Sequence, residues 1–509
     1  TGLTGLTLAC GDDPTTPASS PTDSGSTATN DATNDATSLD DTSTDSSTGA
    51  GACAEPLAPV PRHSAHLRVE QGRLFDEWGR DVVMRGLNTG GRSKFAPFLP
   101  FEVADPSDLA EVRAAADLYY GRLLPWGLDT VRMPFSWEAL EPTPGRYDLD
   151  YLARYQTMVD AAGDYGLRVI VDFHQDVYAS PFCGDGFPPW SVPTPDPPPP
   201  TRDCPEWFAG YFASPDVRES FDRFWTDADG LQPQFVAMWQ TMVDALVDHP
   251  AVVGFEPMNE PGWGTMDDLD AFKQDVLVPW YRDMADEIQG AAPDALVFYD
   301  GPGVDASGGG THFRPEGEGL VYAPHLYDAG LLLGDGWAGT DPTSALANMA
   351  NFGSEAGVAV LLGEFGFTHG ATGGNEWLTR VMDAIDARRM SATLWEYSTS
   401  PELWNGEDLS VVEPDGTERP ILDAYVRPWV PAVAGEQLDV AWDHDAGVLD
   451  ARWIAREGIT EIVVPARRFP EGPAMIELDG TGACYTWDPD RAVLRVSAPA
   501  NTMVTLSVR

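Results

Sequence analysis

The chain has 509 residues, with 31 Lys and Arg against 80 Asp and Glu, a formal net charge of −49. This length exceeds what one hydrophobic core usually supports and predicts at least two domains. The charge argues against nucleic-acid binding, in which cationic side chains neutralise phosphates, and against docking of a polybasic patch on anionic lipid. An acidic, soluble, extracytoplasmic protein fits this composition.

The first 62 residues differ in composition from the rest of the chain. Residues 1–10 read as the end of an apolar segment, and a small residue precedes Cys10, as at the end of a bacterial lipoprotein signal with Cys10 lipidated. An ordinary secretory signal is the alternative. Residues 11–62 are rich in Ser, Thr, Asp and Asn and predict a disordered linker. We therefore expect a secreted protein or a bacterial cell-surface lipoprotein, tethered to a membrane through Cys10.

Apolar runs alternate with amphipathic segments over residues 63–430. None of these runs shows the alternation of a half-exposed strand, so both faces are expected to be buried, as in a parallel sheet. Eight strands alternating with helices predict a (β/α)8 TIM barrel, with an open sheet of seven or nine strands as the alternative. The predicted strands are 82–87, 130–135, 167–173, 252–258, 296–299, 320–324, 358–363 and 392–395.

The helical pattern stops near the C terminus. Segments such as TEIVVPARRF, AMIELDG and AVLRVSA alternate and are separated by turn residues. Residues 431–509 therefore predict a small β-sandwich that packs on the barrel or serves as an accessory binding domain.

Four cysteines remain if Cys10 carries lipid, and they allow three pairings. Cys183 and Cys204 bracket a Pro-rich loop, so we expect a disulfide between them in an oxidising compartment. Whether Cys53 pairs with Cys484 stays open. No CxxC motif or close His/Cys spacing is present, and we expect no metal site.

Polar and aromatic side chains follow the predicted barrel strands, where the catalytic residues of a TIM barrel lie. Glu260 and Glu364 follow the fourth and seventh strands, which face each other across a closed barrel. Glycoside hydrolysis uses such a pair, because one acid protonates the leaving oxygen and one carboxylate attacks the anomeric carbon. Arg132 is expected to lower the pKa of Glu364. The other strand-end candidates are His174, Asp176, Asn259, His325, Tyr327 and Trp395.

Several further ionisable residues are interpreted as structural. Glu256 precedes the strand end, and Asp172 lies within the third strand, where a buried hydrogen bond is expected. Asp300 and Glu396 are strand-end acids to which we assign no chemistry, and His249 belongs to the turn before the fourth strand.

Asn259-Glu260-Pro261 and Glu364-Phe365-Gly366 resemble the signatures of glycoside hydrolase family 5. Within that family, DFHQDVYASPFCGDGFPPWSVP (172–193), GFEPMNEPGWG and YAPHLYDAG resemble the endoglycoceramidases. The resemblance implies cleavage between an oligosaccharide and ceramide without metal or cofactor. It implies that Glu260 is the acid/base and Glu364 the nucleophile. The implied sugar-binding residues are Asn259 at the 2-hydroxyl, His174 and Asp176 at outer hydroxyls, His325 and Tyr327 beside the nucleophile, Trp395 as platform, and Lys94 as a further contact.

Four apolar loops follow predicted strands, at 94–101, 187–190, 207–212 and 330–337. We interpret them as a surface for the lipid half of a glycolipid substrate, the alternative being small cores beneath long loops. Rival functions are a β-glucosidase of glucosylceramide or steryl glucosides, a polysaccharide endoglycanase, and an inactive barrel that binds carbohydrate or lipid. We expect a monomer whose partner is the glycolipid substrate.

Overall fold

The structure, a computed structural model, describes residues 50–60, 66–334 and 336–509, which belong to one compact unit. The predictions for Cys10, for the signal segment and for most of the linker lie outside the described residues. Within the described ranges, no helix combines the length and hydrophobicity needed to cross a bilayer.

Eight parallel strands in the described part of the chain close into a barrel, which confirms the predicted fold. Each strand pairs with the next in the chain, and the last pairs with the first, where Ala392 lies opposite Arg85. All eight are buried on nearly every residue, which explains why their sequences lack alternation. The strands are β1 (Arg85–Asn88), β2 (Thr130–Phe135), β3 (Arg168–Phe173), β4 (Val252–Glu256), β5 (Leu296–Tyr299), β6 (Leu320–Tyr322), β7 (Ala359–Leu362) and β8 (Ser391–Leu394).

Amphipathic helices cover the outside of the barrel. In the helix Leu149–Asp164, for example, the Asp148 side chain caps the first turn by accepting from the Tyr151 amide, and one face buries Tyr155 and Met158. The link from β5 to β6 has only the short 3₁₀ turn Gly303–Ser307. The α-helices are Leu109–Gly121, Leu123–Trp126, Trp137–Leu140, Leu149–Asp164, Gly210–Ala213, Pro215–Trp225, Leu231–Leu246, Leu269–Phe272, Val278–Ala291, Ala329–Leu332, Thr343–Ala356, Gly374–Arg388 and Ile421–Tyr425.

Two short strands extend the barrel at its C-terminal rim. His325–Leu326 follows β6, Glu364–Phe365 follows β7, and the two pair in parallel with His325 opposite Glu364. This register brings a histidine and a carboxylate from different strands side by side, and so positions the site.

A β-sandwich follows the barrel, as predicted. Its four-stranded sheet contains Gly435–Asp443, Val448–Ala455, Met503–Val508 and Ile476–Asp479. Its eight-stranded sheet contains Gly51–Ala52, Cys484–Asp488, Val493–Ser497, Thr460–Val463, Trp429–Val433, Asp81–Val82, Arg73–Phe75 and Arg68–Glu70, in that order. Trp453, Ile462 and Leu494 meet in the core between the two sheets.

The larger sheet corrects two predicted boundaries. The single strand predicted at 82–87 is wrong, because Asp81–Val82 pairs with Trp429–Val433 and only Arg85–Asn88 enters the barrel. No turn residue separates Val82 from Arg85, so the sequence gives no sign of this change of sheet. The predicted boundary at 430/431 falls inside the strand Trp429–Val433 of this sheet.

The predicted linker is also too long at its C-terminal end. Gly51–Ala52 forms a strand parallel to Cys484–Asp488, and Cys53 is bonded to Cys484. These contacts order a segment whose composition alone predicts disorder. The expected Cys183–Cys204 disulfide is also present, so the described residues contain two disulfides.

Candidate active site

Arg132 lies at the centre of the barrel interior, fully buried on β2. Its Nη1 donates to Oε1 of Glu364 at 2.7 Å, and its Nε donates to Oε2 of Glu256 at 2.7 Å. Its Nη2 donates to Oδ1 of Asn259 at 2.9 Å and lies 3.2 Å from Oδ1 of Asp172. One guanidinium thus orients the predicted nucleophile and the predicted 2-hydroxyl ligand together.

Glu364 is held as a carboxylate. Burial alone would raise its pKa, but the positive charges of His325 and Arg132 outweigh it, and the net pKa is lowered. The Tyr327 hydroxyl donates to Oε2 at 3.0 Å, so both oxygens are oriented. The expected effect of Arg132 on Glu364 is confirmed.

Glu260 follows β4 on a backbone with φ of 40°, in the left-handed region that side chains rarely adopt. Its Oε1 lies 2.7 Å from Nδ1 of His325. The loop after β5 passes so close that a Cβ at Gly303 would lie 2.3 Å from Oε2 of Glu260. Glycine at 303 therefore leaves room for the carboxylate, whose side chain is 12% exposed.

His325 lies between the two glutamates. Its Nδ1 is 2.7 Å from an oxygen of Glu260 and 3.6 Å from an oxygen of Glu364. The two facing oxygens are therefore closer together than the ~6.5 Å at which the carboxyl separation of inverting enzymes begins. On its other side, Nε2 lies 3.5 Å from Oδ2 of Asp300.

The protonation of His325 follows from these neighbours. Burial lowers the pKa of His325, but the negative charges of Asp300, Glu364 and Glu260 outweigh burial and raise the pKa to about 10. His325 is therefore an imidazolium at neutral pH.

The rings of His174 and Trp395 stack on each other in the network around Arg132. Their rings stack with centroids 5.0 Å apart and an interplanar angle of 11°. His174 Nδ1 is 2.8 Å from Oδ2 of Asp172, and its Nε2 is 3.5 Å from Oδ2 of Asp176. Burial opposes protonation of His174, but the two aspartates raise its pKa to about 10.

Lys94 joins this group from the loop after β1. Its Nζ donates to Oδ2 of Asp176 at 2.6 Å and to Oε2 of Glu407 at 3.4 Å. The ammonium also lies 3.9 Å from the ring centroid of Trp404 and 4.6 Å from that of Trp395. Burial raises the pKa of Glu407 to about 7, against the lowering effect of Lys94.

The structure therefore brings all ten predicted catalytic and sugar-binding residues into one connected network. It also adds Glu407, Trp404 and Asn88, whose Oδ1 accepts from Nη1 of Arg132 at 2.9 Å. Glu407 and Trp404 lie ten or more residues beyond the end of β8, where no strand pattern indicates them. The sequence LWNGE, an aromatic and a carboxylate close together in a strand-end loop, was the available signal.

The residues interpreted as structural have structural contacts. Glu256 and Asp172 bond to Arg132 and His174, as described above. Glu396 accepts from the Gly91 amide and from Ser398 Oγ, and burial raises its pKa to about 7. His249 lies 3.1 Å from Asp160, outside the network.

Two acidic groupings have the donor types of a metal site. His174, Asp176 and Asp185 form one, and Glu260, Asp300 and His325 form the other. In the first, the Lys94 ammonium already bonds to Asp176. In the second, the imidazolium of His325 lies between the two carboxylates. An internal cation thus already contacts carboxylates in each grouping.

The apolar loops divide into two kinds. Leu99, Phe101 and Phe187 are buried in the barrel core, so the lipid interpretation of loops 94–101 and 187–190 does not apply to these side chains. In loops 207–212 and 330–337, Phe212 and Leu333 are 58% and 61% exposed. The Phe212 ring packs against that of Trp263, three residues after Glu260, with centroids 5.2 Å apart.

A TIM barrel with two facing glutamates at its rim, one paired with arginine and tyrosine and the other with histidine, defines a retaining glycoside hydrolase. Residues 120–400 match the description Cellulase (glycosyl hydrolase family 5), and the chain belongs to this family.

The chain is also similar to enzymes of known activity. It is 25% identical to endoglycoceramidase I of Rhodococcus hoagii (strain 103S) over 477 residues, 87% of this chain and 88% of the relative. Endo-glycoceramidase II from Rhodococcus sp., solved with ganglioside GM3, is 26% identical with a TM-score of 0.68 over 86% of this chain and 98% of that one. Its lactosyl-enzyme intermediate is 27% identical with a TM-score of 0.67, over 86% and 99% of the two chains. A glucosylceramidase of Aspergillus fumigatus is 32% identical over 142 residues, 25% of this chain and 18% of that relative.

Proposed function

We propose that this protein is an endo-β-glycosidase that releases the intact oligosaccharide from ceramide in glycosphingolipids. The observation that carries the proposal is the extent of the similarity to endoglycoceramidases, which spans the barrel and the sandwich. The similarity to fungal glucosylceramidases covers less of this chain, between 24% and 42% of it.

The geometry supports a double displacement. A Glu364 oxygen attacks the anomeric carbon, the bond to the ceramide oxygen breaks, and Glu260 gives its proton to that oxygen. Water then attacks the glycosyl-enzyme, Glu260 takes the proton from that water, and the bond to Glu364 breaks. Two inversions leave the anomeric configuration unchanged. Asn259, oriented by Arg132, is placed to bind the 2-hydroxyl.

In this proposal, the first sugar of the substrate contacts the stacked pair Trp395 and His174. Asp176 and Lys94 bind its outer hydroxyls, and Tyr327 and His325 flank the nucleophile. The lipid leaves on the side of Glu260, where Phe212 packs on Trp263. The exposed ring offers apolar contact area of the kind a ceramide needs.

Mass spectrometry of the products from ganglioside GM3 in detergent micelles tests this function. We expect the intact oligosaccharide and ceramide, and no products from the Glu364→Ala variant. Release of glucose from glucosylceramide or a steryl glucoside, with GM3 left intact, would establish the β-glucosidase alternative. Cleavage of glucans alone would establish an endoglycanase, and no cleavage of any of these substrates would indicate a binding protein.

We also propose that the protein is a secreted or cell-surface lipoprotein, anchored through Cys10, and acts as a monomer. The two disulfides of the described residues support an oxidising, extracytoplasmic location. Labelling of bacterial cells with a fatty-acid analogue tests the anchor. Label is expected in the parent and not in Cys10→Ser. Native mass spectrometry tests the oligomeric state, and a dimer would contradict the proposal.

A further inference from the structure

Gln175 lies between His174 and Asp176, directly after β3, and is fully buried. Its side-chain Nε2 donates to the carbonyl of Glu260 at 2.7 Å and to the carbonyl of Asn259 at 2.9 Å. In the opposite direction, Nδ2 of Asn259 donates to the carbonyl of Gln175 at 3.1 Å. One side chain from the loop after β3 thus bonds to the backbone of both residues that follow β4.

These hydrogen bonds continue the contact between the segments of β3 and β4. The Asn259 amide donates to the carbonyl of Phe173 at 2.9 Å, as in a parallel ladder. The carbonyls of Asn259 and Glu260 accept instead from the side chain of Gln175. Because buried backbone carbonyls need a hydrogen-bond partner, Gln175 takes the place of a neighbouring strand at this point.

The backbone of Glu260 needs such support. Its φ of 40° lies in the left-handed region, which persists at a residue other than glycine only where the surroundings hold it. The peptide group after Glu260 leads into Pro261 and therefore has no N–H. Its carbonyl is the one polar group by which this peptide can be held, and Gln175 holds it.

The other end of the Gln175 side chain orders its own loop. Oε1 accepts from the Tyr178 amide at 3.1 Å, across a turn in which Val177 and Tyr178 have φ of 43° and 76°. The Tyr211 hydroxyl accepts from the Val177 amide at 3.0 Å. Gly186, in the CGDG segment, passes so close that a Cβ there would lie 2.6 Å from Cβ of Gln175. The turn and the CGDG segment therefore enclose the side chain.

We propose that Gln175 is a positioning residue that fixes the backbone of Asn259 and Glu260 and thereby aims the Glu260 carboxyl at the leaving oxygen. It acts through Glu260 and does not touch the reacting atoms. The inference rests on the proposed function, in which Glu260 is the acid/base. Glu364 follows a different strand and is held by Arg132, so loss of the Gln175 amide should impair proton transfer more than nucleophilic attack.

The variant Gln175→Met tests the inference, because methionine is of similar length and lacks the amide. Hydrolysis is followed by absorbance on phenyl β-lactoside, whose leaving group needs a proton, and on dinitrophenyl β-lactoside, whose leaving group does not. We expect kcat/KM to fall ~100-fold on the phenyl lactoside, as for a proton donor displaced by about 1 Å, and by ~10-fold or less on the dinitrophenyl lactoside.

Gln289→Met is the matched control. The Nε2 of Gln289 donates to the carbonyls of Glu318 and Ala295 at 3.0 and 3.2 Å, before β6 and β5 and thus at the opposite end of the barrel. This variant should lower the melting temperature and leave the ratio of the two activities unchanged. If Gln175→Met does not fold, Gln175→Asn, which withdraws the amide by one methylene, should change the ratio in the same direction.

The outcomes separate this inference from the proposed function. An unchanged ratio in folded Gln175→Met or Gln175→Asn, with the ratio changed in Glu260→Ala, would overturn the positioning role and leave the mechanism standing. An unchanged ratio in Glu260→Ala would overturn the acid assignment and the inference with it. Failure to cleave GM3, with the ratio changed in Gln175→Met, would contradict the ceramide proposal alone, because neither lactoside contains lipid.

Discussion

Arg132 and Glu364 form a buried ion pair, with Nη1 of the arginine 2.7 Å from Oε1 of the glutamate. The same guanidinium is bonded to Glu256 through Nε and Nη2. Glu256 therefore fixes the orientation of the Arg132 side chain, and Arg132 in turn fixes the orientation of Glu364, the proposed nucleophile.

Replacing Arg132 by Met should raise the pKa of Glu364, because burial then acts without its nearest cation. The folded pKa of Glu364 is lowered, so its ionised form persists until the pH falls through that pKa. As the pH falls, the variant should lose activity at a higher pH than the parent does. Its kcat/KM should be at least ~100-fold lower. The pH–rate profile on an aryl β-glycoside measures both effects.

A stability loss of ~3–5 kcal/mol is also expected, because buried carboxylates lose their partner. Arg427→Met is the control, since Arg427 is equally buried and bonds to Asp383 and Asp386. It should destabilise the fold and leave the pH profile in place. If Arg132→Met does not fold, Arg132→Gln, which removes the charge and keeps a hydrogen-bond donor, allows the same measurement. An unmoved acid limb would contradict the argument.

Removal of the two glutamates should have different consequences. Glu364→Ala should abolish turnover of every substrate, since no covalent intermediate can form. Glu260→Ala should cost ~10²–10⁴-fold on substrates whose leaving group needs a proton. With an activated aryl leaving group the first step needs no acid, so a burst of aryl alcohol should precede slow turnover. Stopped-flow absorbance detects the burst, and equal losses on both leaving groups would argue against Glu260 as the acid.

Asp300→Asn should lower the pKa of His325. Burial lowers this pKa, and Asp300 is the strongest of the carboxylates that raise it to about 10. A raised pKa means that the imidazolium persists at neutral pH and is lost as the pH rises through about 10. Without the Asp300 charge this loss should occur at lower pH, which an NMR titration of the imidazole signals measures. Asp305→Asn, which instead removes the partner of Lys273, should leave the titration of His325 unchanged.

Phe212→Ser should weaken binding of lipid substrates selectively. Loss of an aromatic contact with the lipid corresponds to ~1–2 kcal/mol, or a ~5–30-fold higher KM on micellar GM3. Hydrolysis of an aryl β-lactoside should stay within ~2-fold. Leu118→Ser replaces a side chain that is 75% exposed on the helix Leu109–Gly121 and should affect neither substrate. Equal losses on both substrates would place Phe212 outside lipid binding.

The barrel and the placement of Glu260 and Glu364 at its rim could be predicted, because buried strands have a visible pattern and the rim lies where they end. Glu260 and Glu364 needed only that rule and their flanking residues. The prediction of one strand at 82–87 was wrong because neighbouring residues of this segment enter two different sheets. Hydrophobicity records burial and does not record which sheet a residue enters.

The positions of Trp404 and Glu407 could not be predicted in the same way. They lie in an irregular loop, in which Asn405 bonds to Cys183 and Cys204, 222 and 201 residues earlier in the chain. Contacts of this kind leave no periodic pattern in the sequence from which they could be predicted. The pairing of Cys53 with Cys484 has the same origin, because the two residues are 431 positions apart and meet only through the sandwich sheet.

That disulfide has a mechanical consequence. A force applied to the chain at its N-terminal side, through a tether at residue 50, would reach Cys53 and pass across the covalent bond to the strand Cys484–Asp488. The load would then be carried by the sandwich, and the eight barrel strands, which all lie between the two cysteines in the chain, would stay outside the line of tension. Shear on an anchored molecule would leave the spacing of Glu260 and Glu364 unstrained.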